Sequence, residues 1–248
     1  SMMASNELNH SYMVDTARML LETAEIISGR LGIQFELINI GGGFGIPYEP
    51  DAAPLNLDAM AREITDLFLQ FKDRNGYEPA LHMESGRYIT APHGALIVTA
   101  INRKEIYRTH IGVDASMSAL MRPGIYGAYH HIEVVGKNHA AENETVDVVG
   151  SLCENNDKFA IGRMLPELEP NDLVVIHDAG AHGHSMGFNY NGKLKSAELL
   201  LREDGSVQEI RRAVGFQLSE LTLLIDRSTH KIHHAYSWYF YRILKTIE

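Results

Sequence analysis

The fold class predicted by the sequence is α/β plus all-β, and two patterns predict it. Over the first 92 residues, stretches with apolar residues at helical spacing alternate with short continuous apolar runs, which reads as helix, strand, helix, strand. After about residue 94 the apolar runs become short and closely spaced, with turn signals between them. That is the pattern of an antiparallel β sandwich or barrel. A boundary is placed near residue 92, giving segments 1–92, 93–213 and an unassigned tail, 214–248.

The elements follow in order. Met13, Ala17, Leu20, Ala24 and Ile27 share one helical face, and Gly29 is expected as the C-cap. A strand over residues 35–40 runs directly into Gly41-Gly42-Gly43-Phe44-Gly45. Leu57, Met60, Ile64, Leu67, Phe68 and Phe71 repeat at helical spacing, and Asn75-Gly76 ends that helix. Residues 80–84 form the next strand. This alternation implies parallel strands joined by crossover helices. Further strands are expected over 95–100, 132–135, 146–149, 173–176, 197–201 and 208–212, with turns at Arg122-Pro123-Gly124, Asn191-Gly192 and Asp204-Gly205. From about Val214 the chain turns apolar and aromatic without a clean period, as in Ser237-Trp238-Tyr239-Phe240-Tyr241. This tail is either a docking helix or a foreign addition.

Composition narrows the function. Hydrophobic residues make up 45% and charged residues 22% of the 248, enough apolar content to bury a core. The net charge of −10, with no Lys/Arg-rich run to offset it, argues against nucleic acid as a partner. No apolar stretch reaches the roughly 18 residues that span a membrane. The N-terminus has neither the charged region nor the apolar core of a signal peptide, and Ser1 is set aside as a cleavage scar. A lone cysteine, Cys153, rules out a disulfide framework and suits a reducing cytoplasm.

Four motifs carry chemistry. Glycines directly after a strand let backbone approach an anion closely; alternatively they make only a tight strand-to-helix turn. Ile46 stands where the dinucleotide fingerprint needs its third glycine, so that motif fails. Glu84-Ser85-Gly86-Arg87 ends the next strand. Its carboxylate could bond a protonated ring nitrogen and its guanidinium could grip an anion, or the pair is a helix cap and a solvated charge. Cys153 and Glu154 lie on a loop between strands, so the thiol is an acid, a nucleophile or a small buried hydrophobe. His177, Asp178, His182 and His184 follow an apolar strand, but their spacing is poor for a metal site and none is assigned.

The order and spacing of these motifs, with Met121-Arg122-Pro123-Gly124-Ile125-Tyr126-Gly127-Ala128-Tyr129-His130, Gly180-Ala181-His182 and Asn189-Tyr190-Asn191, resemble the pyridoxal-phosphate-dependent decarboxylases of the alanine-racemase fold. The resemblance is strongest to the diaminopimelate decarboxylases and covers about residues 3 to 213. It implies that segment 1–92 is the C-terminal part of a TIM-type (β/α)8 barrel, followed by the β domain. It implies pyridoxal 5'-phosphate as cofactor, with Gly41, Gly42, Gly43 and Ser5 at its phosphate, Glu84 at its ring nitrogen, and Gly86, Arg87 and His182 around it. Arg87, Arg122, Tyr126, Glu154 and His182 would bind an amino-acid substrate, and Cys153 would donate a proton from the partner subunit of a homodimer.

The departures from the family pattern shape the expectation. Ser85 replaces a proline and His182 a tyrosine. The family's Schiff-base lysine belongs to a strand upstream of everything here, so only two of its eight barrel strands are expected, and Lys72, Lys104, Lys137, Lys158, Lys193 and Lys195 are taken as surface charges. The implied reaction is decarboxylation of meso-diaminopimelate to L-lysine, which the chain as given, without that lysine, is expected not to carry out alone. The alternatives are a related basic amino-acid or polyamine-precursor decarboxylase, and an inactive fragment that serves only in subunit association.

Overall fold

A computed structural model describes residues 5–137 and 144–214. Ser1 and the tail beyond Val214 lie outside the described residues. Helix α1 (Ser11–Leu31) buries Met13, Val14, Ala17, Leu21 and Ala24. It runs through Gly29 and ends at Gly32, whose φ of 67° is the left-handed cap conformation. The expected stop at Gly29 is therefore one turn early, because the backbone needs the glycine only where φ turns positive. Strand β1 (Leu37–Gly42) takes in the first two glycines rather than stopping before them.

Helix α2 (Leu57–Asn75) is capped at its start by the Asn56 side chain, which accepts from the Ala59 N–H at 3.0 Å. It ends at Gly76 with φ 73°. Strand β2 (Ala80–Glu84) pairs parallel with β1, from Leu37 opposite Ala80 to Gly42 opposite Glu84. The two helices and β1 enclose one apolar core around Met13, Leu21, Ile40, Met60, Ile64 and Phe71.

A five-residue helix, α3 (Gly86–Thr90), follows β2. Then come β3 (Leu96–Glu105), β4 (Thr109–Val113), helix α4 (Arg122–Tyr126), β5 (Ile132–Val134), β6 (Glu144–Val149), β7 (Lys158–Leu165) and β8 (Leu173–Ile176). Arg122-Pro123-Gly124, expected as a turn, opens α4 with its proline in the first turn, where a missing N–H costs nothing. The six strands form one sheet in the order β5-β8-β3-β4-β6-β7. One pair, β4 with β6, is parallel, so the sheet is mixed and not the purely antiparallel one expected. After β4 the chain leaves for α4 and β5 before β6 begins, and such a long excursion lets a strand return in the same direction.

The two edges of this sheet approach each other: Arg163 on β7 donates to the carbonyl of His130, just before β5, at 2.9 Å. The core inside it includes Val98, Ile111, Val113, Val148, Phe159 and Ile176. A small third cluster of Ile46, Tyr48, Ala91 and Ala181 joins the two regions. Strands β9 (Glu198–Leu201) and β10 (Val207–Arg211) form a separate antiparallel hairpin. Among the described residues no helix is long and apolar enough to cross a membrane.

Candidate active site

The glycine turn and the end of β2 meet in atomic detail. A Cβ on Gly42 would lie 2.2 Å from the Glu84 carbonyl oxygen, so only bare backbone lets the two strand ends close. Gly41 and Gly43 have φ of 81° and 90°, values that favour glycine. Asn39 ties the two motifs together: its Nδ2 donates to Glu84 Oε1 at 2.8 Å and its Oδ1 accepts from the Gly41 N–H at 2.8 Å. The Gly41 N–H is thus engaged within the chain. The segment before α1 lies against the same turn. The Glu7 N–H donates to the Gly43 carbonyl at 2.9 Å, and the Gly45 N–H donates to the Glu7 carbonyl at 2.8 Å. This brings Ser5 to Arg87, whose Nη2 reaches Ser5 Oγ in a long 3.4 Å contact.

Arg87, on α3, is the centre of a group of unanswered donors. Its Nε and Nη1 are buried without a partner, as are His182 Nδ1 and the Tyr48 hydroxyl. Burial, then the positive charges of Arg87 and Arg122, push the His182 pKa down, so its imidazole is neutral near pH 7. Burial pushes the Tyr48 phenol up, and the Arg122 and Arg87 charges partly offset that. Arg122 itself is buried, at 7% exposure. Its guanidinium lies 4.2 Å above the Tyr48 ring and contacts His130 Nε2 at 2.7 Å. Burial lowers its pKa first; Tyr48 and Tyr126 favour its charge and Arg87 opposes it. No carboxylate is among those influences. Buried donors left unpaired cost about 1–3 kcal/mol each, and buried cations demand a counter-charge, so these side chains suit an anionic ligand.

The Cys153 loop is built separately. Asp157, buried at its end, accepts from the Met117 N–H at 2.6 Å and the Leu152 N–H at 2.7 Å. Gly124 of α4 packs so tightly on this loop that a Cβ there would meet the Asn156 carbonyl oxygen at 2.0 Å. Glu154 accepts from the Tyr190 hydroxyl at 2.8 Å and from the Asn156 N–H at 3.1 Å. The Tyr190 bond is the main reason its carboxyl sits below the usual range. Cys153 is exposed, which removes its reading as a small buried hydrophobe.

The structure thus gathers Gly41, Gly42, Gly43, Ser5, Glu84, Gly86, Arg87, His182 and Arg122 around one region. Cys153, Glu154 and the exposed Tyr126 belong to the adjoining loop and helix. Among the described residues, the loop's hydrogen bonds reach Met117, Tyr190 and Lys193 but not the glycine turn, Glu84 or Arg87. Arg87 is not the solvated charge that its sequence setting also allowed. Lys137 engages Asp172, and Lys193 engages Ser151 and the Asp114 carbonyl. Asn39 and Tyr48 stood in no motif, and His130 and Tyr190 stood in motifs of the resemblance without a role of their own. A polar Asn39 inside an apolar strand was the one available signal for the first. His177 pairs with Glu133 at 3.1 Å, and among the described residues no three His, Cys, Asp or Glu side chains converge as a metal site.

Residues 12–180 match the family described as pyridoxal-dependent decarboxylase, C-terminal sheet domain. The chain is 50% identical over 215 residues to Protein TabA of Pseudomonas amygdali pv. tabaci, covering 87% of this chain and 50% of that protein. It is 40% identical over 203 residues to the diaminopimelate decarboxylase of Methanothermobacter thermautotrophicus, covering 80% and 47%. The crystal structure of diaminopimelate decarboxylase from M. jannaschii in complex with L-lysine superposes with a TM-score of 0.76 at 33% identity, over 85% of this chain and 48% of that one. The chain spans about half the length of the curated relatives it matches.

Proposed function

Since the chain belongs to the pyridoxal-dependent decarboxylase family, we propose that it carries much of the active site of an amino-acid decarboxylase that uses pyridoxal 5'-phosphate. On this reading β1 and β2 are two strands of a (β/α)8 barrel, and the six-stranded sheet is the wall of the β sandwich or barrel that follows. What supports the proposal most is that bare Gly42 backbone packs against Glu84, which Asn39 holds, while Arg87, three residues further on, keeps two buried nitrogens unanswered. An anionic, planar cofactor answers those donors and needs that bareness. When bound, pyridoxal 5'-phosphate supplies the electron-poor ring that takes up the electron pair left by departing carbon dioxide.

The chain's own residues do the rest. Glu84 Oε1 is fixed by Asn39, which orients the carboxylate so that it can hold a proton on a ring nitrogen. Gly41, Gly42, Gly43 and Ser5 line the phosphate, and Gly86 lets α3 bring Arg87 to it. Arg122, a buried cation held by the Tyr48 ring and His130, takes the distal carboxylate of the substrate, with Tyr126 beside it on α4. Glu154, oriented by Tyr190, reads the distal ammonium. Cys153 is exposed and serves as proton donor to the site of a second copy, which makes a homodimer the active form. A distal carboxylate together with a distal ammonium distinguishes meso-diaminopimelate from ornithine or arginine, and L-lysine is the product. The lone exposed thiol suits a cytoplasmic setting.

Release of carbon dioxide from meso-diaminopimelate, ornithine and arginine, by the full-length protein that includes the Schiff-base lysine and is supplied with pyridoxal 5'-phosphate, tests this reading. Release from meso-diaminopimelate alone is the expected result. A second reading, a neighbouring specificity, is favoured by His182: its φ is 62° and its Nδ1 is unpartnered, where the resemblance expects a tyrosine. That reading predicts release from another substrate. No release from any would leave the chain as an inactive partner in subunit association.

A further inference from the structure

His130 is fully buried, at 0% exposure, and both of its ring nitrogens are in use. Nε2 lies 2.7 Å from Arg122 Nη1, and Nδ1 lies 2.8 Å from the His177 carbonyl oxygen. These partners fix the proton without its being seen. A carbonyl oxygen can only accept, so Nδ1 carries the proton and donates. A guanidinium can only donate, so Nε2 is bare and accepts. An imidazolium would turn an N–H against the guanidinium and add a second buried cation beside the first. Burial, the largest cause, and the Arg122 and Arg163 charges hold the His130 pKa at about 4.

Tyr48 completes the arrangement. Its ring lies under the Arg122 guanidinium, with 4.2 Å to its centroid, and meets the His130 ring edge-on at 4.9 Å. The guanidinium is therefore held on one flat face by an aromatic ring and on one N–H by a neutral acceptor. Neither holder is an anion, so neither neutralises the charge that a ligand carboxylate would meet. A glutamate at position 130 could grip Arg122 more tightly, but it would spend that charge. A recess of about 250 Å³ opens beside them, lined in part by Asn6, Tyr48, Glu49, Arg122, Ala128 and Tyr129.

We propose that His130 is a positioning residue for Arg122: as a neutral, Nδ1-protonated imidazole it aims the guanidinium at the distal carboxylate of the ligand, with the Tyr48 ring as the second constraint. The inference rests on the reading of Arg122 as the carboxylate-binding residue and adds what makes that arginine effective. His130 itself touches neither substrate nor cofactor.

L-lysine and cadaverine differ by a single carboxylate, so the ratio of their dissociation constants isolates what Arg122 contributes. That ratio is measured by calorimetry on the full chain with pyridoxal 5'-phosphate present. The native chain is expected to prefer L-lysine. His130→Asn keeps a donor toward the His177 carbonyl but is too short to accept from Arg122. It should lower the preference by about tenfold or more, the scale of a hydrogen bond to a charged group, by weakening L-lysine and leaving cadaverine unchanged. His130→Gln places an amide oxygen near the Nε2 position and should restore most of the preference. A merely structural role would weaken both ligands together, and that result overturns the inference. So does an unchanged preference in His130→Asn. A native chain with no preference for L-lysine, or no binding of it, overturns the reading of Arg122 and the inference with it. Nitrogen-15 NMR of the His130 ring reads the arrangement without any ligand. A neutral ring protonated at Nδ1 from pH 6 to 8 is expected, and a proton on Nε2 in that range would overturn the inference on its own.

Discussion

Cys153 and Arg87 show how differently a single residue's setting can be read from sequence and from structure. Both stood in motifs with a bland alternative. The thiol is exposed on a loop fastened by Asp157, and the guanidinium keeps two buried nitrogens unanswered. Neither setting is written in local sequence, because exposure and satisfaction depend on residues far along the chain: Ser5 for Arg87, Tyr190 for Glu154. Types and spacing marked the glycines, Glu84 and Arg122. They gave no role to Asn39, Tyr48 or His130, which hold other side chains. In a full-length version of the protein, Cys153→Ala is expected to leave pyridoxal 5'-phosphate affinity unchanged and to lower turnover by about 10²-fold or more, the scale of a lost general acid, as steady-state rates and a cofactor titration would show.

Strands β1 and β2 end where backbone meets backbone, and the glycines there and in α1 have opposite expected responses to the same change. Gly42→Ala forces a methyl against the Glu84 carbonyl, 2.2 Å away, so the strand ends must part. A cost of about 2 kcal/mol or more is expected, seen as a melting temperature several degrees lower. Gly29 lies inside α1, and a Cβ added there would point into open space. Gly29→Ala should raise stability by about 0.5–1 kcal/mol, the helix-propensity difference. The elements themselves were legible where apolar period was clean: α2 and β2 fall where the pattern put them. β4 and β7 were not foreseen. β4 carries His110 and Gly112 between its apolar residues. β7 carries Gly162 at φ 59° and pairs with β6 across register shifts at Val146, Val148 and Val149, so its alternation is broken where a bulge takes up residues.

Across the whole molecule, two apolar cores are joined by a small cluster that includes Tyr48, and the buried charges of the site sit at that junction. This links stability to pH. Folded His130 takes up its proton near pH 4, against 6.5 for the ordinary imidazole. Between those values the unfolded chain binds more protons, so stability falls as pH drops through this window. The shift is worth about 3 kcal/mol when fully expressed. Asp157 and Asp178, raised by burial, act in the opposite direction, because their ionisation in the folded state costs stability as pH rises through the carboxylate range. Chemical denaturation at pH 7 and pH 5 should therefore show a loss on acidification, and His130→Gln should reduce it. The most direct test of the whole account is a calorimetric titration of the chain with pyridoxal 5'-phosphate, repeated with Arg87→Ala and with pyridoxal lacking the phosphate. Saturable binding at one site per chain, weakened about tenfold or more by either change, is the predicted result. Binding that is absent, or indifferent to both the guanidinium and the phosphate, would contradict the claim that the glycine turn, Glu84 and Arg87 form one cofactor site.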